Sequence, residues 1–451
     1  MDIIAAISTA QTPTAIGVVR LSGPGCFALC DRVFRPLGGG AFSAQAPRTM
    51  VYGDMLDQAG RRLDRGLAVR FPGPSSYTGE DSAEFHCHGS PVVLRELLSA
   101  LFAAGARQAG PGEFTRRAFL NGKLDLTEAE AVIDLIDAQT PAAARNAAAQ
   151  LDGALRRLLE PVQESLLEIT SRFYAVVDYP DEDIEDIGPK ETAAALKTAG
   201  AALERLLGTA ERGKILKSGL RTAIVGRPNA GKSSLLNALA GYERAIVTDS
   251  PGTTRDTVEE SVLCGGVQLR LIDTAGIRDT EDTVERLGVE RSRMAMESAE
   301  LVLCVVDGAA GVTMEDEALL AQAARRPHWV LVLSKRDLSP AAYSGPLSPD
   351  AVISLSSVTG EGLEELEAAM ARLFPLGSDA GTLLTDERQE DAVRRSAAAV
   401  RRAREALEAG FTPDAILTDA EEALEAIGEL TGRTAKEEIV GRIFSRFCVG
   451  K

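Results

Sequence analysis

The chain has 451 residues, 45% hydrophobic and 25% charged, with a formal net charge of −17 at pH 7. This balance excludes a fibrous or disordered chain, and the acidic excess excludes a protein that coats nucleic acid by bulk electrostatics, so an RNA partner has to be met by a local basic patch or through a second protein. No apolar run is long enough to span a membrane, no basic-then-apolar leader opens the chain, and the six cysteines form no Cys-x-x-Cys pair. Together these predict a cytoplasmic protein of about three domains with no membrane partner.

Residues 1–118 mix short β-rich runs, such as 16–21 and 67–71, with punctuation at Phe71-Pro72-Gly73-Pro74 and Gly110-Pro111-Gly112. This texture predicts a compact α+β domain. Within it, His86-Cys87-His88 resembles a metal cluster. On a strand, however, the two histidines share one face and the cysteine takes the other. With no companion ligand pair, structural roles are expected in place of zinc. From Thr127 the chain turns helical. Thr127 and Glu130 have capping-box spacing, and an Ala/Leu-rich stretch runs to about residue 177, where Asp178-Tyr179-Pro180 ends it. A second helical stretch covers 190–217. Residues 218–376 alternate β and α patterns, with candidate strands at 222–225, 258–263, 267–273, 301–306, 329–333 and 352–354, which implies a doubly wound parallel sheet. Beyond residue 380 helices return at 394–409 and 419–430, followed by a last one opened by Thr434 with Glu437 three residues on. Helices on both flanks suggest a nucleotide domain inserted into one helical domain, with two unrelated helical domains as the alternative.

The strongest motif is Gly226-Arg227-Pro228-Asn229-Ala230-Gly231-Lys232-Ser233, a complete G-x-x-x-x-G-K-[ST] loop between the apolar run 222–225 and a helix-like run from Ser234. Its glycines let backbone N–H groups face phosphate oxygens at a helix N-terminus. Lys232 reaches the outer phosphates and the Ser233 hydroxyl sits on Mg2+. Downstream, Thr253-Thr254-Arg255-Asp256 offers a threonine to complete the magnesium shell, and Asp273-Thr274-Ala275-Gly276 supplies an aspartate and a γ-phosphate-sensing glycine. Ser334-Lys335-Arg336-Asp337 stands where GTPases usually carry Asn-Lys-x-Asp. Asp337 can still accept from guanine N1–H and its amine, which adenine cannot satisfy, so GTP is the expected nucleotide. Lys335 can cover the ring, and Ser356-Ser357-Val358 can back it. The position after Gly276, where Ras-like GTPases hold a water-orienting Gln, is Ile277. Hydrolysis therefore needs help from another group. Asn229 is placed either to hold a monovalent cation or simply to stiffen the loop. Cys448, near the end of the chain, reads first as a helix-packing thiol in a tail that is ordinarily mobile.

The chain closely resembles the tRNA modification GTPase MnmE (TrmE) family over nearly its whole length. The resemblance is carried by Arg20-Leu21-Ser22-Gly23, Phe71–Pro74 with Tyr77-Thr78-Gly79-Glu80-Asp81, Pro111 through Asn121, Lys123-Leu124-Asp125-Leu126, the nucleotide motifs and the terminal Cys448-Val449-Gly450-Lys451. It implies a multidomain α/β and α protein. Residues 1–118 would form an N-terminal α+β tetrahydrofolate-binding and dimerisation domain, 119–217 plus 377–451 a helical domain, and 218–376 an inserted Ras-like doubly wound P-loop GTPase domain. It further implies a potassium-stimulated GTPase whose nucleotide domains pair across a homodimer. GTP contacts would come from Asn229, Ala230, Gly231, Lys232, Ser233, Ser234, Thr248, Asp249, Ser250, Pro251, Gly252, Thr253, Thr254, Asp273, Thr274, Ala275, Gly276, Ser334, Lys335, Asp337, Ser356, Ser357 and Val358. K+ would rest on Asn229, Thr248, Ser250 and Thr253, and Mg2+ on Ser233 and Thr254. Glu285 would orient the attacking water, although by itself it reads as a solvated helix charge. Arg20, Glu84, Lys123 and Lys451 would bind a 5-formyl- or 5,10-methylene-tetrahydrofolate, and Cys448 would join the modification site. The implied partners are tRNA and the flavin-dependent MnmG, with which the family installs an aminomethyl-type group on carbon 5 of the wobble uridine. Two other readings compete: a regulatory GTPase for ribosome or complex assembly, and a folate-dependent transferase that the GTPase only regulates.

Overall fold

The computed structural model describes residues 2–178, 188–242, 260–272, 293–339, 342–376 and 383–450. The chain divides into two compact units, one of Met1–Ile133, Gln150–Ala199 and Arg395–Lys451, the other of Asp134–Ala149 and Gly200–Arg394.

In the first unit the β-rich runs form a seven-stranded sheet. Its strands are β1 (Ile4–Ile7), β2 (Thr14–Ser22), β3 (Phe34–Pro36), β4 (Val51–Leu56), β5 (Arg62–Phe71), β6 (Ser82–Gly89) and β7 (Arg107–Gln108). The order is β3-β4-β5-β6-β2-β1-β7, antiparallel except where β7 lies parallel to β1. Period-2 alternation decides which side chains are buried. On β6, Phe85 and Cys87 enter the core while Glu84, His86 and His88 take the other face. Phe85 packs with Phe34 and Phe42, ring centroids 5.8 and 6.2 Å away. The three members of His86-Cys87-His88 have separate partners, Glu84, the Gly17 carbonyl and Asp64. Two helices accompany this sheet, the short α1 (Cys26–Cys30) and α2 (Pro91–Ala103), whose Leu94, Leu97 and Leu101 are fully buried.

The helical stretch expected from 127 to 177 is broken into α4 (Leu126–Asp137), α5 (Pro141–Leu151) and α6 (Ala154–Asp178), after α3 (Glu113–Leu120). Thr140 stops the run by capping α5 through the Ala143 N–H at 3.0 Å, and Gly153, at φ 79°, turns the chain before α6. The capping box also lies two residues earlier than Thr127 and Glu130. Asp125 Oδ1 accepts from the Glu128 N–H at 2.8 Å, and Glu128 Oε2 accepts from the Asp125 N–H at 2.8 Å. Thr127, already inside the helix, donates to Asp125 at 2.7 Å. The last helix opens at Glu437 behind Lys436. Thr434 instead donates to the Glu425 carbonyl at 3.2 Å, folding the corner after Gly432.

The second unit carries α7's last turns and α8 (Pro189–Leu207 and Ala210–Ser218), then a six-stranded sheet. Its strands are β8 (Leu220–Val225), β9 (Glu260–Cys264), β10 (Val267–Leu271), β11 (Leu301–Asp307), β12 (His328–Ser334) and β13 (Ala351–Ser354), in the order β13-β12-β11-β8-β10-β9. All neighbours are parallel except β9, which pairs antiparallel with β10. The expected fully parallel sheet therefore has an antiparallel edge. Its cause is the two-residue turn Gly265-Gly266, both at positive φ (60° and 78°), a tight hairpin geometry open to glycine. Both faces are covered. Leu235, Leu236 and Leu239 of α9 (Lys232–Tyr242) pack with Leu363, Leu366 and Met370 on one side, and Leu320, Ala323 and Met296 fill the other. Burial on both faces explains the near-continuous apolar runs of β11 and β12.

Candidate nucleotide site and a second polar cluster

β8 ends at the buried Val225, the chain curls through Gly226–Gly231, and α9 begins at Lys232. The loop can approach the sheet only without a side chain at Gly226, where a Cβ would lie 2.2 Å from the Val305 carbonyl oxygen. Gly231, at φ 100°, makes the last turn, and Asn229 adopts the left-handed conformation at φ 61° with its side chain exposed. Lys232 bends back over the loop, its Nζ donating to the Gly226 and Arg227 carbonyls at 2.8 Å each. Burial holds its pKa below the ordinary lysine value. Ser233 and Ser234 are exposed on the first turn of α9. The loop shape and the cation folded over it fit a polyphosphate, with N–H groups at a helix start and an ammonium within reach.

The base-reading turn begins where β12 ends. Ser334 is buried, and its hydroxyl donates to the Ala230 carbonyl at 2.6 Å and lies 3.2 Å from the Val306 carbonyl. It thereby ties this turn to the phosphate loop. Lys335, at φ 59°, places its Nζ 2.5 Å from Asp307 Oδ2. That contact lowers the Asp307 pKa, and the Ala309 and Ala310 N–H groups donate to the same carboxylate. Asp337 is exposed. Ser356 is fully buried and caps its own turn, accepting from the Val358 and Thr359 N–H groups at 3.3 and 3.2 Å. Ser357 is half-buried, and Val358 is 85% exposed, free to lie against a planar base. The Arg336 N–H joins the two turns through the Leu355 carbonyl at 3.1 Å.

The structure thus gathers Asn229–Ser234, Ser334–Asp337 and Ser356–Val358 at the C-terminal ends of β8, β12 and β13, where open α/β sheets bind ligands. Thr248 through Thr254, Asp273 through Gly276, Ile277 and Glu285 lie outside the described residues. Sequence reasoning missed Asp307 and Arg227. Asp307 was signalled by its place at the end of the apolar run 301–306. Arg227, inside the loop, bonds Thr313 and Glu315 at 2.9 Å each, pairings between distant segments that no local pattern announces.

In the seven-stranded unit, register sets Arg20 of β2 opposite Glu84 of β6, and Arg20 Nε donates to Glu84 Oε1 at 2.8 Å. His86 Nε2 lies 3.3 Å from the other oxygen of Glu84. The Arg20 guanidinium stands 5.5 Å from the Tyr77 ring centre and 5.8 Å from that of Phe114, and Tyr77 meets Thr115 at 2.9 Å. A carboxylate paired with a guanidinium beside aromatic faces suits a flat, hydrogen-bonding ring. Lys123 is exposed and lines a cavity of about 580 Å³ with Arg116, Arg156, Arg433 and Glu128. Arg20 and Glu84 do not line that cavity. Tyr77 and His86 were also missed; His86 was findable, since it shares the strand face of Glu84.

Cys448 is exposed, not a packing thiol, and its tail is docked instead of loose. Its carbonyl accepts from the Gly112 N–H at 3.3 Å, Val449 bridges Pro111, and Ser8 Oγ donates to the Gly450 carbonyl at 3.0 Å. Lys451 lies outside the described residues.

A strand–phosphate loop–helix unit joined to a base-reading turn defines the class, a P-loop GTPase carrying additional domains. Residues 3–123 match the family described as GTP-binding protein TrmE N-terminus, and residues 126–448 match the MnmE helical domain. The tRNA modification GTPase MnmE of Symbiobacterium thermophilum is 45% identical over 454 residues, covering 100% of this chain and 99% of the relative. Those of Heliobacterium modesticaldum and Roseiflexus castenholzii are each 43% identical, over 100% of this chain and 99% of their own length. The chain belongs to the MnmE family of tRNA modification GTPases.

Proposed function

We propose that this chain is a potassium-stimulated GTPase that acts in the cytoplasm as a homodimer and, with the flavin-dependent MnmG, adds an aminomethyl or carboxymethylaminomethyl group to carbon 5 of the wobble uridine of certain tRNAs. The observation that carries this reading is family membership over the full length of the chain, with a complete phosphate loop followed by a base-reading turn that keeps Lys335 and Asp337. GTP hydrolysis in tRNA modification is the activity that membership gives. The one-carbon donor, partner and cation are the finer parts of the proposal, as are the domain limits 1–118, 119–217 with 377–451, and 218–376.

Each residue has a physical task. The N–H groups from Asn229 to Ser234 cradle phosphate oxygens, and Lys232 exchanges its two loop carbonyls for the outer phosphates. Ser233 and Thr254 would hold Mg2+, which neutralises charge between the phosphates when bound. Asn229, with Thr248, Ser250 and Thr253, would hold K+ in the role an arginine finger plays elsewhere. Glu285 would orient the water that Ile277 cannot. Asp337 selects guanine. Ser334 holds the turn bearing Asp337 against the loop. In the other unit, Glu84 and Arg20 would bind the ring of the tetrahydrofolate, and Lys123 and Lys451 its anionic tail. Cys448 would face the uridine chemistry.

The decisive test is hydrolysis of GTP by the full chain in potassium against sodium at equal ionic strength. Turnover more than about tenfold slower in sodium is expected, a modest share of what an arginine finger contributes. Equal rates would remove Asn229 from the cation role. Mass analysis of wobble uridines from cells lacking the gene separates this function from assembly-factor GTPases, since unchanged nucleosides would sink it.

A further inference from the structure

One partly buried charge cluster has no part in that reading. α8 ends at Ser218, two residues before β8 carries the chain into the parallel sheet. On its way back the chain is described again from Leu383 and enters the helix Glu387–Glu408. The incoming and returning segments lie against each other. A Cβ on Gly213 would fall 1.8 Å from the Leu384 carbonyl oxygen, and the Leu384 N–H donates to Thr209 Oγ1 at 3.1 Å. Lys214 pairs with Glu390 at 3.0 Å. At the centre, the Lys217 ammonium lies 2.8 Å from Asp134 Oδ1 and 3.2 Å from Asp386 Oδ2. Thr385 completes the cluster by donating to Asp134 Oδ2 at 3.0 Å. A cavity of about 200 Å³ bounded by Asp134, Asp137, Asn146, Lys217 and Thr385 adjoins it.

The arrangement is more than a surface ion pair. Asp134 is 7% exposed and Lys217 32%, so neither charge is fully hydrated. One ammonium serves two carboxylates from two other chain segments, and its loss removes the cation that Asp134 and Asp386 share. The three segments are the chain entering the nucleotide sheet, the chain leaving it, and α4. That same helix begins at Leu126, three residues after Lys123. The cluster therefore ties the segments on either side of the nucleotide sheet to α4.

We propose that Lys217 is a positioning residue of the tRNA-modifying cycle, fixing both connections of the nucleotide sheet to α4 so that events at the bound nucleotide are delivered to that helix. The inference rests on the tRNA-modifying function proposed above. Its test compares full-length wild type, Lys217→Met, Lys217→Arg and Thr385→Val, each produced in cells lacking their own copy. Three quantities are read: GTP turnover of the purified protein, modified wobble uridine in the cells, and the unfolding midpoint. Lys217→Met is expected to hydrolyse GTP within about twofold of wild type yet deliver about tenfold less modified uridine, the scale at which coupling residues act. Lys217→Arg is expected to restore modification, and Thr385→Val, which keeps both ion pairs, to lose a smaller part. Wild-type modification by Lys217→Met overturns the inference. So does a parallel fall in turnover, modification and midpoint, which marks the cluster as packing alone; if Lys217→Met does not accumulate, Thr385→Val decides by the same ratio. Absence of modification in the wild-type arm would instead refute the underlying function.

Discussion

Ser334 departs from the asparagine usual at its position, and in the fold its hydroxyl has a partner of its own. It is the first residue of Ser334-Lys335-Arg336-Asp337, where GTPases usually carry Asn-Lys-x-Asp. In the fold its hydroxyl reaches back to Ala230, buried, at 2.6 Å. Removing it leaves the Ala230 carbonyl without that donor, a loss of about 1–3 kcal/mol for a buried group. Ser334→Ala is therefore expected to weaken GDP and GTP binding about fivefold or more, measured by titration with a fluorescent nucleotide. Unchanged affinity would mean that the turn holds its place without the tether. The loop itself was legible in the sequence because its demands are local: glycines at the positive-φ positions 226 and 231, and a lysine and a serine at a helix start. Arg227 and Tyr77 were not, because their partners Thr313, Glu315 and Thr115 lie far along the chain.

At the scale of elements, α3 starts without a side-chain cap. It relies on Gly112, at φ 60°, and on the carboxylate of Glu113. That carboxylate accepts from Arg107 at 2.5 Å, from Arg117 at 3.0 Å and from the Gly110 N–H at 2.8 Å. Burial raises the Glu113 pKa, but these donors and the Arg107 charge outweigh it and bring the carboxyl down to about 2. Since the folded value lies below the unfolded one, the group's stabilisation is complete above the ordinary glutamate value, 4.5, and is lost as pH falls through about 2. Thermal unfolding followed across that window should show a midpoint that drops in the wild type and drops less in Glu113→Gln, which begins lower at neutral pH. Parallel curves would remove Glu113 from the acid response. Element types were largely legible from periodicity, whereas their limits were not. Asp125-x-x-Glu128 and Thr127-x-x-Glu130 overlap by two residues, and only the folded backbone chooses between them. The Gly265-Gly266 hairpin signal, by contrast, was present in the sequence and outweighed by the β/α alternation around it.

At the scale of the whole molecule, the last residues of the chain offer a way to test whether hydrolysis and modification can be separated. The tail is held by backbone, through Gly112 to Cys448, Pro111 to Val449 and Ser8 to Gly450, while the Cys448 thiol itself is exposed. Docking therefore depends on Gly450, at φ 103°, where a Cβ would lie 2.3 Å from the Ile7 carbonyl oxygen, and not on the sulfur. Two variants pull these roles apart. Cys448→Ser is expected to keep the unfolding midpoint and the rate of GTP hydrolysis while losing modified uridine, if the thiol serves the modification site. Gly450→Val is expected to lower the stability of its unit by about 1–3 kcal/mol, through overpacking and a disfavoured backbone, and to lose modification with hydrolysis retained. The contrast lies in the midpoint, read by calorimetry beside nucleoside analysis and phosphate release. Full modification by Cys448→Ser would reduce that residue to one link of a docked tail. Loss of hydrolysis in either variant would show that the tail serves the nucleotide site as well, and that the two activities cannot be divided at this end of the chain.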